Sequence, residues 1–233
     1  MFLPLKMGYL KRIFGKKTKE QYFKKSYSQD GEDMLLSSLF EDIGPRGNGF
    51  YIDIGAHHPF RLSNTAHFYE LGWRGINIEP TPNAISLFEK HRPLDINLNI
   101  GIGKKHDTLK FYCFDEPALN SFSKELSEDR HNNTNYKIQE IKEISIYPLA
   151  EILDKHVKPN QHIDFMTIDV EGLDLEVLRS NNWDKYKPEF IFAEDIVNFG
   201  NLQDSGVYNY LVGVGYELVA KTQRTMIFSN TDK

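Results

Sequence analysis

The sequence predicts an α/β protein built on a doubly wound, mostly parallel sheet with helices on both faces. Three observations predict it. From residue 50 onward, short apolar runs that stop at a Gly, a Pro or an acid alternate with segments of helical periodicity. The first runs are apolar almost throughout, as strands buried on both faces are. Two extended segments, Tyr216–Ala220 and Arg224–Phe228, close the sequence as an antiparallel hairpin.

Phe50–Ile54 is the first strand and ends at Gly55. Ser63-Asn64-Thr65 is a helix-cap cluster, followed by the apolar positions Ala66, Phe68, Tyr69 and Leu71 and a stop at Gly72. Gly75–Glu79 reads as the second strand, halted by Pro80. Pro82 is suited to the first turn of the next helix, whose buried stripe is Ala84, Ile85, Leu87 and Phe88. Leu94–Ile100 alternates as a third strand, and Thr108–Phe114 is extended. Residues 115–143 are polar and read as an insertion or mobile loop. A short helix near 149–156, the strand Ile163–Ile168, a helix over Leu173–Arg179, the strand Phe190–Ala193 and a helix over Tyr208–Val214 complete the order.

A chain of 233 residues with 40% hydrophobic and 26% charged residues has enough apolar surface for one large core. The lone Cys113 excludes an intramolecular disulfide and any site needing two thiolates, and it suits a reducing cytoplasm. The net charge of −5 is divided unevenly. Residues 1–25 hold eight basic side chains and one acid, a charge of +7 that leaves −12 on residues 26–233. The first segment therefore reads as a basic amphipathic tail or helix able to lie on the anionic inner face of the cytoplasmic membrane. Residues 26–233 read as one domain, too acidic to coat nucleic acid. The sequence leaves the oligomeric state open.

In a doubly wound sheet, ligands occupy the crevice beyond the carboxyl ends of the strands. Gly55 ends the first strand there, and Glu79, 24 residues on, ends the second. An acid at that distance grasps a nucleoside ribose in Rossmann-like folds. After Gly55 the chain reads Ala56-His57-His58-Pro59-Phe60, with no further glycine until Gly72, so no pyrophosphate cradle is present. A nucleoside without phosphates, S-adenosylmethionine, fits better than a dinucleotide. A nicotinamide-dependent oxidoreductase and a non-catalytic cofactor- or glycan-binding module are the alternatives.

Four motifs occur in order: Ser28–Asp33, Tyr51–His57, Asn77–Pro80 and Ile168–Gly172. Together they resemble the FkbM family of S-adenosylmethionine-dependent methyltransferases, over roughly residues 26–195. The resemblance implies a class I methyltransferase (Rossmann-like) fold, a three-layer sandwich on a seven-stranded sheet. It also implies O-methylation of a sugar in a nucleotide sugar, surface glycan or lipid-linked precursor. Position by position, it implies that Asp53 and Gly55 face the methionine half of the cofactor, with Gln29, Ser63 and Asn64 nearby. Glu79 then holds the ribose, and Asn99 and Ile102 border the adenine.

Methyl transfer is an in-line displacement, so an alcohol acceptor needs positioning and a group to take its proton. The candidates are His57 and His58 after the first strand, and Asp169 and Glu171 after the strand that ends at Ile168. No metal is expected. A divalent cation, were one used, would find Asp169, Glu194 and Asp195. Residues 115–143 are expected on the acceptor side, with Asn120-Ser121-Phe122 among the residues lining the acceptor.

Overall fold

The computed structural model describes residues 24–43 and 47–231. Nearly all of the basic segment, and with it the reading as an amphipathic membrane helix, lies outside the described residues. Among those described, no helix is long and apolar enough to cross a membrane.

Helix α1 (Glu32–Ile43) precedes strand β1 (Phe50–Ile54), α2 (Ala66–Glu70), β2 (Arg74–Ile78), α3 (Ala84–His91) and β3 (Ile96–Leu98). After a second, smaller sheet the chain returns as α5 (Leu149–His156), β7 (Phe165–Ile168), α6 (Asp174–Arg179), β8 (Phe190–Glu194), α7 (Gly206–Gly213), β9 (Tyr216–Lys221) and β10 (Thr225–Asn230). The seven-stranded sheet runs β3-β2-β1-β7-β8-β10-β9. All pairings are parallel except those of β10, which is antiparallel to β8 and to β9. β1 pairs with β2 on one side and β7 on the other, so the strand order reverses at the end of β1, where a ligand crevice opens.

The apolar runs are strands because both faces are covered. On one face, Ile52, Ile54, Ile76, Met166 and Ile191 pack with Leu149 and Leu153 of α5 and Val177 and Leu178 of α6. On the other, Tyr51, Phe165, Phe190 and Phe192 pack with Leu36 and Phe40 of α1, Phe68 of α2 and Trp73. This second layer is largely aromatic, with Phe68 and Phe165 rings 4.9 Å apart. The sequence boundaries shift slightly. Only Ile96–Leu98 of the expected third strand pairs, and α3 opens at Ala84 behind Asn83 rather than at Pro82.

Residues 115–143 are not a loop. β4 (Gly101–Ile102), β5 (Asp107–Phe114) and β6 (Ile138–Tyr147) form a three-stranded sheet in the order β4-β6-β5, with α4 (Lys124–Asn133) between β5 and β6. The helix forms because Ser123 Oγ accepts from the Leu126 N–H at its start. It stays polar because Ser127 is its only buried residue. β6 carries Ile138, Ile141, Ile144 and Ile146 between charged residues, since one face of this small sheet is largely exposed.

Candidate active site

A cavity of about 450 Å³ opens beyond the ends of β1, β2, β7 and β8, walled on its remaining side by the insertion. Gly55 lines it with φ 81°, a conformation that favours glycine. A Cβ there would overlap the carbonyl oxygen of Asp169, so glycine is what lets β1 and the β7 turn close together.

Glu79 is buried at one end of the cavity and accepts hydrogen bonds from the backbone N–H groups of His57 (2.7 Å) and Thr81 (2.6 Å). Burial raises its carboxyl above the usual range, and the hydrogen bonds from Thr81 and His57 oppose that. A carboxylate has about four lone-pair sites, so acceptor capacity remains for a diol. Asn99 Nδ2 donates to the carbonyls of Glu79 (2.7 Å) and Thr81 (3.2 Å), bracing this turn from behind, while Ile102 faces the cavity.

Asp53 and Ser63 are buried and do not line the cavity. Thr65 Oγ1 donates to Asp53 at 2.5 Å, and burial lifts the Asp53 carboxyl to about 6. Ser63 Oγ accepts from the Ala66 N–H and from Arg92. Both therefore shape the loop from Pro59 to Thr65 and do not offer the direct contact expected of them. Gln29 lines the cavity and also a smaller adjoining recess, which it shares with Asn64, Asp169 and Glu194. Asn64 is held there by its bond to Thr167 Oγ1 at 2.9 Å.

The two histidines separate. His58 does not line the cavity; its Nδ1 accepts from the N–H groups of Phe60 and Arg61, both at 3.0 Å, and so it holds a turn. His57 lines the cavity, with Nε2 3.2 Å from Arg61 Nη1. A guanidinium only donates, so Nε2 is the unprotonated nitrogen in this contact. Burial and the nearby Arg61 push His57 down to about 4. It is neutral at physiological pH and its lone pair is engaged, which makes it a poor base. Arg61 also forms a two-pronged bridge to Glu116, at 2.8 and 3.1 Å, joining the loop after β1 to the insertion.

The acids divide too. Glu171, at φ 56°, is bound by Arg130 Nη2 of α4 at 2.5 Å, and its carbonyl accepts from Ser121 Oγ at 2.9 Å. Pairing with a guanidinium makes it less available for proton transfer than expected. Asp195 accepts from Ser205 Oγ (2.6 Å) and the Val197 N–H (3.1 Å) and does not line the cavity. The acids that assemble are Asp169, Glu171 and Glu194, with an oxygen of each within 4.8 Å of the others. The expected trio with Asp195 is not formed, because the Ser205 cap turns that side chain away. Asp169 is exposed where it lines the cavity. Desolvation by the protein around it and the negative charge of Glu194 hold its carboxyl above the usual range. Burial and Glu171 raise Glu194 to about 7.

Residues 53–218 match the model of the methyltransferase FkbM domain. The chain belongs to the FkbM methyltransferase family. The matched FkbM domain spans most of the mostly parallel seven-stranded sheet described above. No curated protein matches the chain. Among solved structures, it is similar to methyltransferase FkbM from Methylobacillus flagellatus KT at 15% identity and a TM-score of 0.49, covering 83% of this chain and 47% of that one. The chain thus spans under half the length of that protein. It is also similar to a precorrin-6y C5,15-methyltransferase from Geobacter metallireducens GS-15 (11% identity, TM-score 0.42, 91% and 96% covered). A ribosomal protein L11 methylase from Lactobacillus delbrueckii subsp. bulgaricus resembles it at 10% identity and a TM-score of 0.40, with 86% and 79% covered.

The chemistry of the FkbM-family cavity fits S-adenosylmethionine. Five carboxylates (Glu79, Glu116, Asp169, Glu171, Glu194) line it against three guanidiniums (Arg61, Arg130, Arg224). That excess suits a ligand bearing a sulfonium and an ammonium, and opposes one bearing a pyrophosphate. Arg61, Glu116 and Arg130 were not among the expected site residues, and Glu194 was expected at the crevice as a ligand for a cation. The acid ending β8 was visible in the sequence, whereas the arginines meet partners distant along the chain.

Proposed function

We propose that this protein methylates a hydroxyl oxygen of a sugar, carried by a nucleotide sugar, a surface glycan or a lipid-linked precursor. One observation supports oxygen as the acceptor atom: Asp169 and Glu194 line the cavity with carboxylate oxygens within 4.8 Å of each other, both carboxyls are raised above the usual range, and Glu194 is raised to about 7. An alcohol is a poor nucleophile until its proton leaves, so a carboxylate base beside the acceptor suits an oxygen acceptor.

S-adenosylmethionine, when bound, supplies an electrophilic methyl group on sulfur. Glu79 binds the ribose, and Gln29 and Asn64 border the methionine end. Asp169, beside Glu194, would take the acceptor's hydroxyl proton as the oxygen bonds to the methyl carbon and the carbon–sulfur bond breaks, releasing S-adenosylhomocysteine. Arg130 holds Glu171 beside the pair and keeps the turn after β7 in place. No metal enters this scheme. Extensive dialysis against EDTA is expected to leave turnover intact, and loss of turnover restored by a divalent cation would overturn that part.

The acidic domain disfavours nucleic acid as acceptor, and the basic segment 1–25 offers contact with an anionic membrane carrying a glycan precursor. Deleting residues 1–25 is then expected to abolish binding to anionic vesicles. The acceptor class is tested by incubating the chain with labelled S-adenosylmethionine and a panel of nucleotide sugars and capsule fragments. Label transferred to a sugar hydroxyl is the expected result. Transfer only to amine or thiol compounds would sink the proposal.

A further inference from the structure

We infer that Phe122, supplied by the insertion, is the aromatic platform against which the adenine of S-adenosylmethionine packs. The inference rests on the cofactor reading above and names a residue that the sequence had placed with the acceptor.

Position is the first argument. The nucleoside end of the cavity is marked by Glu79 and Thr81 on one wall and Gly101-Ile102 on another. Phe122 lines the cavity beside Gly101, and a Cβ on Gly101 would lie 2.6 Å from the tip of the Phe122 ring, Cζ. Glycine at this position is therefore what lets the ring lie against the strand.

Rigidity is the second. The buried ring of Phe111 backs Phe122, with centroids 4.6 Å apart and planes tilted by 50°. The two residues before Phe122 are pinned. Asn120 accepts from the Phe114 N–H at 2.7 Å and donates to Thr81 Oγ1 at 3.0 Å, and Ser121 pairs with Tyr112 through the backbone. The bond to Thr81 ties the platform to the turn that follows Glu79. Phe122 remains only half-buried, so part of its ring faces open space.

Chemistry is the third. The side-chain polar atoms of Asn120 and the hydroxyl of Ser121 are spent within the protein. What this wall presents is a held aromatic ring among Ile102, Pro117 and Ala118. Such a surface recognises a flat heteroaromatic base by stacking, which alanine substitution shows to be worth about 5- to 150-fold in affinity.

Binding of S-adenosylhomocysteine to the full chain, followed by calorimetry, tests this without an acceptor. Phe122→Ala and Phe122→Leu are expected to weaken binding at least about tenfold and about fivefold, and Phe122→His, which keeps a flat ring and adds no atom at the tip that meets Gly101, to stay within about threefold of the parent. Ligand-free melting temperatures should be alike in all three variants. Parent-like affinity in Phe122→Ala would overturn the inference. So would equal losses in the His and Ala variants, which would mark a packing role. An unchanged cofactor affinity with a raised KM for the sugar would return Phe122 to the acceptor and overturn it as well. If the parent protein itself bound no S-adenosylhomocysteine, the underlying cofactor reading would fall instead.

Discussion

Arg92 Nη1 donates to Thr65 Oγ1 across 2.7 Å, between two side chains that are both fully shielded from solvent. The same guanidinium donates to Ser63 Oγ at 2.9 Å and to the Pro59 carbonyl, so one buried cation holds the whole loop that follows His57 and His58. Asp53 and Asp95 lie close enough to be stabilised by its charge. Arg92→Met leaves those carboxylates without their compensating cation, and breaking such a buried arrangement costs about 3–5 kcal/mol. Urea denaturation is expected to show that loss; a change below about 1 kcal/mol would mean the loop is held by other means.

Glu79 offers a test of the ribose contact. Two hydrogen bonds from a diol to a carboxylate are worth about 1.5–3 kcal/mol each. Glu79→Ala is therefore expected to weaken S-adenosylhomocysteine binding on the order of 100-fold or more by calorimetry. Unchanged affinity would remove Glu79 from the site.

The raised carboxyls predict a pH–rate profile once an acceptor is in hand. A base must be deprotonated to work, so the rate should fall on the acid side of about 7, where the Asp169–Glu194 pair picks up its proton. Glu194→Gln removes the negative charge that raises Asp169. The acid limb should then move to lower pH while kcat falls about 10- to 1000-fold with the weaker base. A limb that stayed in place would assign the proton to another group.

Stability should depend on pH in the opposite sense to that of most proteins near neutrality. Asp174, raised to about 8 by burial and Glu194, and Glu194, at about 7, hold protons in the native state that they give up when unfolded. The native state then binds more protons than the unfolded one, so stability falls as pH rises from about 6.5 to 8. His57, depressed to about 4, works the other way but only below its unfolded value near 6.5. The ligand-free melting temperature is expected to drop between pH 6.5 and 8, and Asp174→Asn should flatten the slope. A melting temperature that rises over this interval would contradict the burial of these acids.

The main sheet was legible because its strands are buried on both faces and so spell themselves as apolar runs, Phe50–Ile54 and Phe190–Ala193 above all. Gly55 and Glu79 were legible from spacing, since the β1–β2 unit fixes the distance between them. The insertion was hidden because β6 alternates Ile with charge and α4 has almost no apolar face. Adjacent histidines cannot be told apart by composition. Only the backbone, with His57 at φ 52°, decides that one faces the cavity and the other a turn. Pairs such as Arg130–Glu171, 41 residues apart, leave no local signal at all.

The bridge between Arg61 and Glu116 has a kinetic consequence. Both side chains are accessible, at 49% and 29%, and an exposed ion pair contributes about 0–1 kcal/mol. A clasp that weak stands open for at least about a sixth of the time, and side chains of this kind swing in nanoseconds. Passage between these two walls is thus effectively free on the timescale of turnover.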